Sequence, residues 1–172
     1  MFANKYLEKQ NKETLINSIP NTELGMIVVI PCFREPDILQ TLDSLNHCKL
    51  PVQNVEVIIL INHSEIASEE IKSFTRNTIF EIENWISENR KAGIQIYAVG
   101  PIELKKKWAG AGVARKSGMD EAIRRLNLLE KPNGIIVSLD ADTLVDENYL
   151  VEIKNHFKQN PKNVGATISF QH

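Results

Sequence analysis

Cysteine is nearly missing from this chain: Cys32 and Cys48 are the only two. Two thiols cannot build a disulfide framework, so the default setting is a reducing one, the cytoplasm. Charge of one sign is also missing. With 20 Lys and Arg against 22 Asp and Glu, the formal net charge is -2, which gives no electrostatic footprint for nucleic acid. An anionic ligand would therefore need local positive charge or a metal. Long apolar runs are absent as well. No stretch approaches the ~20 residues of a membrane helix, and Met1–Gly25 is polar, without the apolar centre of a secretory signal. The motifs that do not occur exclude further chemistries. The phosphate-cradling P-loop is absent, as are the His-Glu-x-x-His and Cys-x-x-Cys metal spacings. There is no internal repeat and no low-complexity segment.

What is present suits one soluble globular domain: 172 residues, 42% hydrophobic and 24% charged, enough for a substantial core. Residues 1–25 read as a polar leader with a short helix around Tyr6–Ile19, stopped by Pro20. Residues 26–172 form the domain proper. Met26–Ile30 is a nearly continuous aliphatic run and reads as the first core strand, ended by Pro31 because proline donates to no ladder. Asp37–Cys48 has helical spacing at Ile38, Leu39, Leu42 and Leu45, with Asp37 as its N-cap. Val55–Ile61 is a second strand. Ser68–Arg90 is a long helix capped by Ser68, with Ile71, Phe74, Ile82, Trp85 and Ile86 on its inner stripe. Ile94–Val99 is a third strand closed by Gly100-Pro101. A helix over about Val113–Leu129, a strand from Ile135, a helix near Asn148–Gln159 and a last strand, Val164–Phe170, complete the chain. Strands alternating with helices predict an α/β fold, a mostly parallel sheet with helices on both faces.

The fourth of these strands carries the strongest chemical signal. Ile135-Ile136-Val137-Ser138-Leu139 runs into Asp140-Ala141-Asp142, two carboxylates one residue apart. Ligands of open α/β sheets gather at the carboxyl ends of strands. Two carboxylates there repel each other and any anion unless a cation joins them. A divalent metal carrying a diphosphate meets that need, since hard cations take oxygen from carboxylate and phosphate together. The competing reading is that Asp140 and Asp142 cap the helix beginning near Asp146.

Lys105-Lys106-Lys107-Trp108-Ala109-Gly110-Ala111-Gly112 is a basic, glycine-bearing loop that feeds the next helix. It is no dinucleotide fingerprint: it lies over a hundred residues into the chain, and Arg115 stands where the third glycine belongs. Arg115 and Lys116 oppose the helix dipole at that end, which points to a phosphate or base contact as against a solvated basic face. Gly118 inside the same helix costs about 1 kcal/mol relative to alanine, so close packing is expected there. Arg34 and Glu35 follow the first strand, and Asn62, His63 and Ser64 follow the second. A lone histidine such as His63 reads as structural or solvated.

Taken in order, three segments resemble the family-2 glycosyltransferases of the GT-A fold. They are Ile30-Pro31-Cys32-Phe33-Arg34-Glu35, then Gly110-x-Gly112-x-Ala114-Arg115-x-x-Gly118-x-x-x-Ala122, then Leu139-Asp140-Ala141-Asp142. The resemblance spans roughly Met26 to Phe170. It implies that Pro31, Cys32 and Glu35 line the nucleotide pocket and that Arg115 approaches the base or diphosphate. It further implies that Asp140 faces the ribose or metal-bound water and that Asp142 ligates Mn²⁺ or Mg²⁺. The donor would be a nucleotide-diphosphate sugar; the acceptor is unassigned.

The chain departs from the family pattern in places. Cys32, Phe33 and Arg34 replace the common Thr-Tyr-Asn, Lys116 replaces an Asn, and Asn62 stands near the usual base-reading aspartate, with Ile61 there in the other alignment. An inverting transferase also needs a general base, and after Glu152 the sequence has no acidic residue. The expectation is therefore a donor-binding half whose natural protein continues past His172. An uncovered sheet edge would invite self-association. Two other functions compete: a non-catalytic nucleotide-sugar-binding module, and a sugar-1-phosphate nucleotidyltransferase. The glycine-free segment Cys32–Pro36 counts against the latter.

Overall fold

The computed structural model describes residues 1–10 and 13–169. Four parallel strands form one sheet in the order β3-β2-β1-β4, with β1 Leu24–Cys32, β2 Asn54–Ser64, β3 Ile94–Leu104 and β4 Ile135–Ser138. Helices α1 (Asn4–Gln10), α2 (Ile38–His47), α3 (Glu69–Glu88), α4 (Ala111–Leu128) and α5 (Tyr149–Gln159) complete the domain, with a short 3-10 turn at Lys106–Trp108. The α/β alternation read from the sequence is what the chain adopts.

The sheet is covered on both faces, which is why β1 is aliphatic throughout rather than alternating. On one face Val28, Ile30, Val57 and Ile59 pack with Leu42 and Leu45 of α2, Ile82 and Trp85 of α3, and Leu150 of α5. On the other, Ile27, Val29, Ile58 and Leu60 pack against Ala114, Ala122 and Leu126 of α4. Gly118 allows this close seating. A Cβ placed there would meet Val29 Cγ1 at 2.4 Å and Leu60 Cδ1 at 2.5 Å.

Pro31, expected to end β1, instead lies inside it, paired with Leu60 of β2. What it ends is β4. Leu139 donates its N–H to Val29 O at 3.1 Å, so Val29 turns its polar groups toward β4, and Pro31, two residues on, does the same. The next rung would need a Pro31 N–H for the Leu139 carbonyl. Proline has none, and β4 stops at Ser138.

Other expectations are corrected. β3 runs through Gly100-Pro101 to Leu104, because an edge strand tolerates proline. Gly100, at φ +133, also lets the strand pass close to Ile61 O, where a Cβ would sit at 2.3 Å. Asp37 makes no side-chain cap; its carboxylate accepts from Gln40 Nε2 at 2.8 Å. Ser68 does cap α3, accepting from the Ile71 N–H. The inner face of α3 is Thr75, Thr78, Ile82 and Trp85, whereas Phe74 lies at the solvent boundary. Residues 164–169 form no strand and are exposed, and Phe170 lies outside the described residues.

The leader is shorter in helix than expected and is packed against α4. Ala3 N–H donates to Asn127 Oδ1 at 2.8 Å, Tyr6 OH to Asp120 Oδ1 at 2.6 Å, and Leu15 N–H to Glu121 Oε2 at 3.2 Å. Arg124 and Arg125 donate to the carbonyls of Ile16 and Ser18, each at 2.9 Å. These bonds account for a helix that buries Asp120, Glu121, Arg125 and Asn127, since buried polar groups persist where they find partners.

Candidate functional site

The carboxyl end of the sheet gathers most of the residues singled out from sequence. After β4 the chain alternates: Leu139 and Ala141 turn inward, 5% and 3% exposed, while Asp140 and Asp142 face solvent. Thr41 Oγ1 of α2 donates to the Ala141 carbonyl at 2.8 Å and so fixes the segment between the two carboxylates. Neither aspartate caps a helix. α5 begins only at Tyr149, whose N–H bonds to Asp146 O, so the capping alternative falls.

Opposite them lies the turn after β1. Arg34 adopts φ +54, a left-handed conformation uncommon outside glycine, and this turns the chain sharply. Glu35 is half-buried, and burial, followed by the charges of Asp142, Asp140 and Asp37, holds its carboxyl above the usual range. Glu35 thus shares one field with both aspartates of the motif. Cys32 is placed differently. Its side chain sits in the core among Ile30, Ile38 and Ile61, and burial pushes the thiol up to about 12. Pro31 is buried beside it. What these two offer outward is main chain.

α4 points its amino end at the same region. The guanidinium of Arg115 pairs with the Asp140 carboxylate, a contact between elements that no local pattern announces. The Arg115 Nε is buried and has no hydrogen-bond partner among the described residues. Lys116, grouped with Arg115 in the sequence as a phosphate or base contact, is turned to the leader instead. Its ammonium reaches Asp120 at 2.8 Å, Gln10 Oε1 at 2.9 Å and Tyr6 OH at 3.4 Å.

At the end of β2, Asn62 is 1% exposed, and neither its amide nitrogen nor its amide oxygen has a partner among the described residues. Ile61 belongs to the α2–α3 face and Leu60 to the α4 face, so strand alternation puts Asn62 on the α4 side. His63 falls on the other side, its Nε2 3.8 Å from Glu103 Oε2. The basic loop begins beside that end of β2, one residue past the Ser64–Leu104 rung, and leads into α4. Lys105 and Lys107 lie 5.9 and 4.6 Å from the Trp108 ring, around a cavity of about 520 Å³ lined also by Glu65. That loop leaves edge strand β3 and joins it to α4, the helix whose Arg115 meets Asp140.

Among the described residues no three His, Cys, Asp or Glu side chains converge to hold a metal ion. Asp140 and Asp142 still fit a hard cation of the kind that uses one or two carboxylates and completes its shell with phosphate and water. No helix among the described residues is long and apolar enough to cross a membrane.

Residues 27–171 match Glycosyl transferase family 2. The chain belongs to that family. The α/β architecture expected from the sequence, a parallel sheet with helices on both faces, is the one described above. No curated protein matches the sequence. Several solved structures are similar. S. aureus TarS 1-349 is 15% identical with a TM-score of 0.47, covering 86% of this chain and 39% of that one. The same protein in complex with UDP-GlcNAc is 14% identical with a TM-score of 0.48, covering 79% and 32%. The mannosyltransferase PcManGT from Pyrobaculum calidifontis, in complex with GDP-Man and Mn2+, is 17% identical with a TM-score of 0.39, covering 81% and 34%. The chain therefore spans well under half the length of these proteins.

Proposed function

We propose that this chain is the donor-binding part of an inverting, metal-dependent glycosyltransferase that uses a nucleotide-diphosphate sugar. The observation that carries this reading is the pairing of Arg115 from α4 with Asp140 at the end of the sheet, two residues from Asp142 and within the field felt by Glu35. Such a field repels a nucleotide by itself and accepts one that arrives with a divalent cation.

In this reading Asp142, with Asp140, holds Mn²⁺ or Mg²⁺. Held there, such an ion would supply positive charge to offset that developing on a departing diphosphate. Arg115 supplies a second positive centre on the same charge, fixed by the helix so that little reorganisation is needed during reaction. Asn62 reads the base through its partnerless amide, and the main chain of Pro31 and Cys32, with Glu35, lines the nucleotide pocket. Glu35, Asp140 and Asp142 serve the donor in this reading, and the acceptor and its general base are unassigned. Two buried free thiols suit a reducing, cytoplasmic setting, and the edge strands β3 and β4 suit self-association.

The test is a thermal-shift panel of UDP, GDP, CDP and dTDP, each with and without Mn²⁺. A ligand at a hundred times its Kd stabilises by about 2.7 kcal/mol, which should raise Tm by roughly 5–10 °C. A manganese-dependent shift with one nucleotide supports the reading and identifies the base. No shift with any of them would sink it. Stabilisation without transfer to any acceptor would mark a binding module, and a shift requiring a nucleoside triphosphate with a sugar 1-phosphate would mark a nucleotidyltransferase.

A further inference from the structure

In the ligand-free chain the partner of Asp140 is an arginine. The Arg115 guanidinium occupies one oxygen of that carboxylate, near a Glu35 carboxyl that burial, and then the charges of Asp142 and Asp140, hold above the usual range. The neighbouring cation, Lys116, contributes nothing here because the leader and Asp120 hold it. No three-ligand protein cage exists among the described residues, so a divalent ion arriving alone finds few ligands, one of them already paired.

The pairing restrains Arg115 as well. Its side chain is about two-thirds buried, at 35% exposure, and its Nε already lacks a partner among the described residues. Losing Asp140 with nothing in exchange would leave this partly buried guanidinium without its carboxylate partner. An incoming diphosphate removes that obstacle by offering Arg115 new oxygens, and this frees Asp140 for the ion.

We infer that Arg115 is a coupling residue. By holding Asp140 until an anion claims it, Arg115 makes cation binding and nucleoside diphosphate binding depend on each other. This inference rests on the donor-site reading above. It goes beyond chelation of metal by nucleotide in solution, because it assigns the coupling to one side chain of the protein. Linkage makes the effect reciprocal. Removing the arginine should release Asp140 to metal, and neutralising the aspartate should release Arg115 to the anion.

The experiment uses two probes separately on the whole chain. Mn²⁺ alone is titrated and followed by the paramagnetic resonance of the free ion. UDP and GDP are titrated by calorimetry in EDTA. Arg115→Ala should bind Mn²⁺ alone about tenfold more tightly than the natural chain, while Arg115→Lys should change it less. Asp140→Asn should bind the preferred diphosphate in EDTA more tightly than the natural chain does, a gain that loss of a ligand-binding residue would not produce. Circular dichroism checks that each variant folds, and the two single changes test the coupling from opposite sides. Unchanged or weaker Mn²⁺ binding by Arg115→Ala, or unchanged or weaker metal-free diphosphate binding by Asp140→Asn, overturns the inference. If those results accompany normal manganese-dependent nucleotide binding by the natural chain, the coupling fails and the donor site stands. If the natural chain binds no diphosphate under any condition, both fail.

Discussion

Glu56 of β2 and Arg125 of α4 share two hydrogen bonds of 2.6 Å, both side chains buried, near the end of the sheet away from the aspartates. Burial works to lower the Arg125 pKa, and the Glu56 contact outweighs it, so the guanidinium stays charged. Arg125 also donates to the Ser18 carbonyl and lies over the Tyr97 ring, 5.0 Å from its centroid. One side chain thus joins leader, helix and sheet. Arg125→Met should leave Glu56 buried and unpaired, at a cost of about 3–5 kcal/mol. In thermal unfolding this should appear as a Tm lower by about 10 °C or more. Replacing both partners with apolar residues should recover much of that loss.

Gly118 separates two effects of opposite sign. Alanine there gains about 1 kcal/mol of helix propensity but drives a methyl into Val29 and Leu60, an overpacking cost of about 1–3 kcal/mol. The packing effect should win. Urea unfolding of Gly118→Ala is expected to show a lower midpoint with unchanged slope, whereas alanine at Gly112, which has open space around it, should be tolerated.

Asn62 should trade stability against binding. A buried polar group without a partner costs about 1–3 kcal/mol. Asn62→Leu is therefore expected to raise the urea midpoint while abolishing the nucleotide-dependent rise in Tm. A drop in midpoint would mean that the amide is solvated in solution and that its burial carries no functional cost.

The alkaline limb of stability should be steep. Burial raises Cys32 from 9.0 to about 12 and Tyr149 from 10.0 to about 12, and it raises Cys48 as well. For each group the folded state holds its proton more tightly than the unfolded chain does. Their contribution is fully present below the unfolded values and is lost as pH rises toward the folded ones. Unfolding free energy should hold steady up to pH 9 and fall between 9 and 12, and Cys32→Ala should flatten part of that fall. Neither thiol should react with an aromatic disulfide reagent at pH 8 until the protein unfolds.

What could be read from the sequence was whatever is local or periodic. Buried parallel strands announce themselves as aliphatic runs, so β1, β2 and β4 were legible, as was Asp140-Ala141-Asp142 at a strand end. Phe74 misled because helical spacing alone cannot say which arc of an amphipathic helix faces the sheet; Thr75 and Thr78 sit inward by bonding their hydroxyls to the carbonyls of Ile71 and Phe74. The span of α4 was legible, about Val113–Leu129 against Ala111–Leu128, but its buried polar face was not. Its buried Asp120, Glu121 and Asn127 are satisfied by a leader more than a hundred residues upstream. The Arg115–Asp140 and Thr41–Ala141 contacts are likewise relations between distant segments, and no window along the chain contains both partners.

Pro31 shows how a sheet can be told where to stop. The boundary between scaffold and ligand-facing loop is written on the neighbour strand, as one missing hydrogen, and not on β4 itself. The stretch Leu139–Asp142 is thus free to vary in sequence without risk of being drawn into the ladder, because no donor waits for it at that rung. A change at Pro31, such as Pro31→Val, would offer the Leu139 carbonyl a donor and lengthen β4, re-aiming both aspartates without altering either. Control over the position of the carboxylates rests with a residue that carries no charge and need never touch the ligand with its ring.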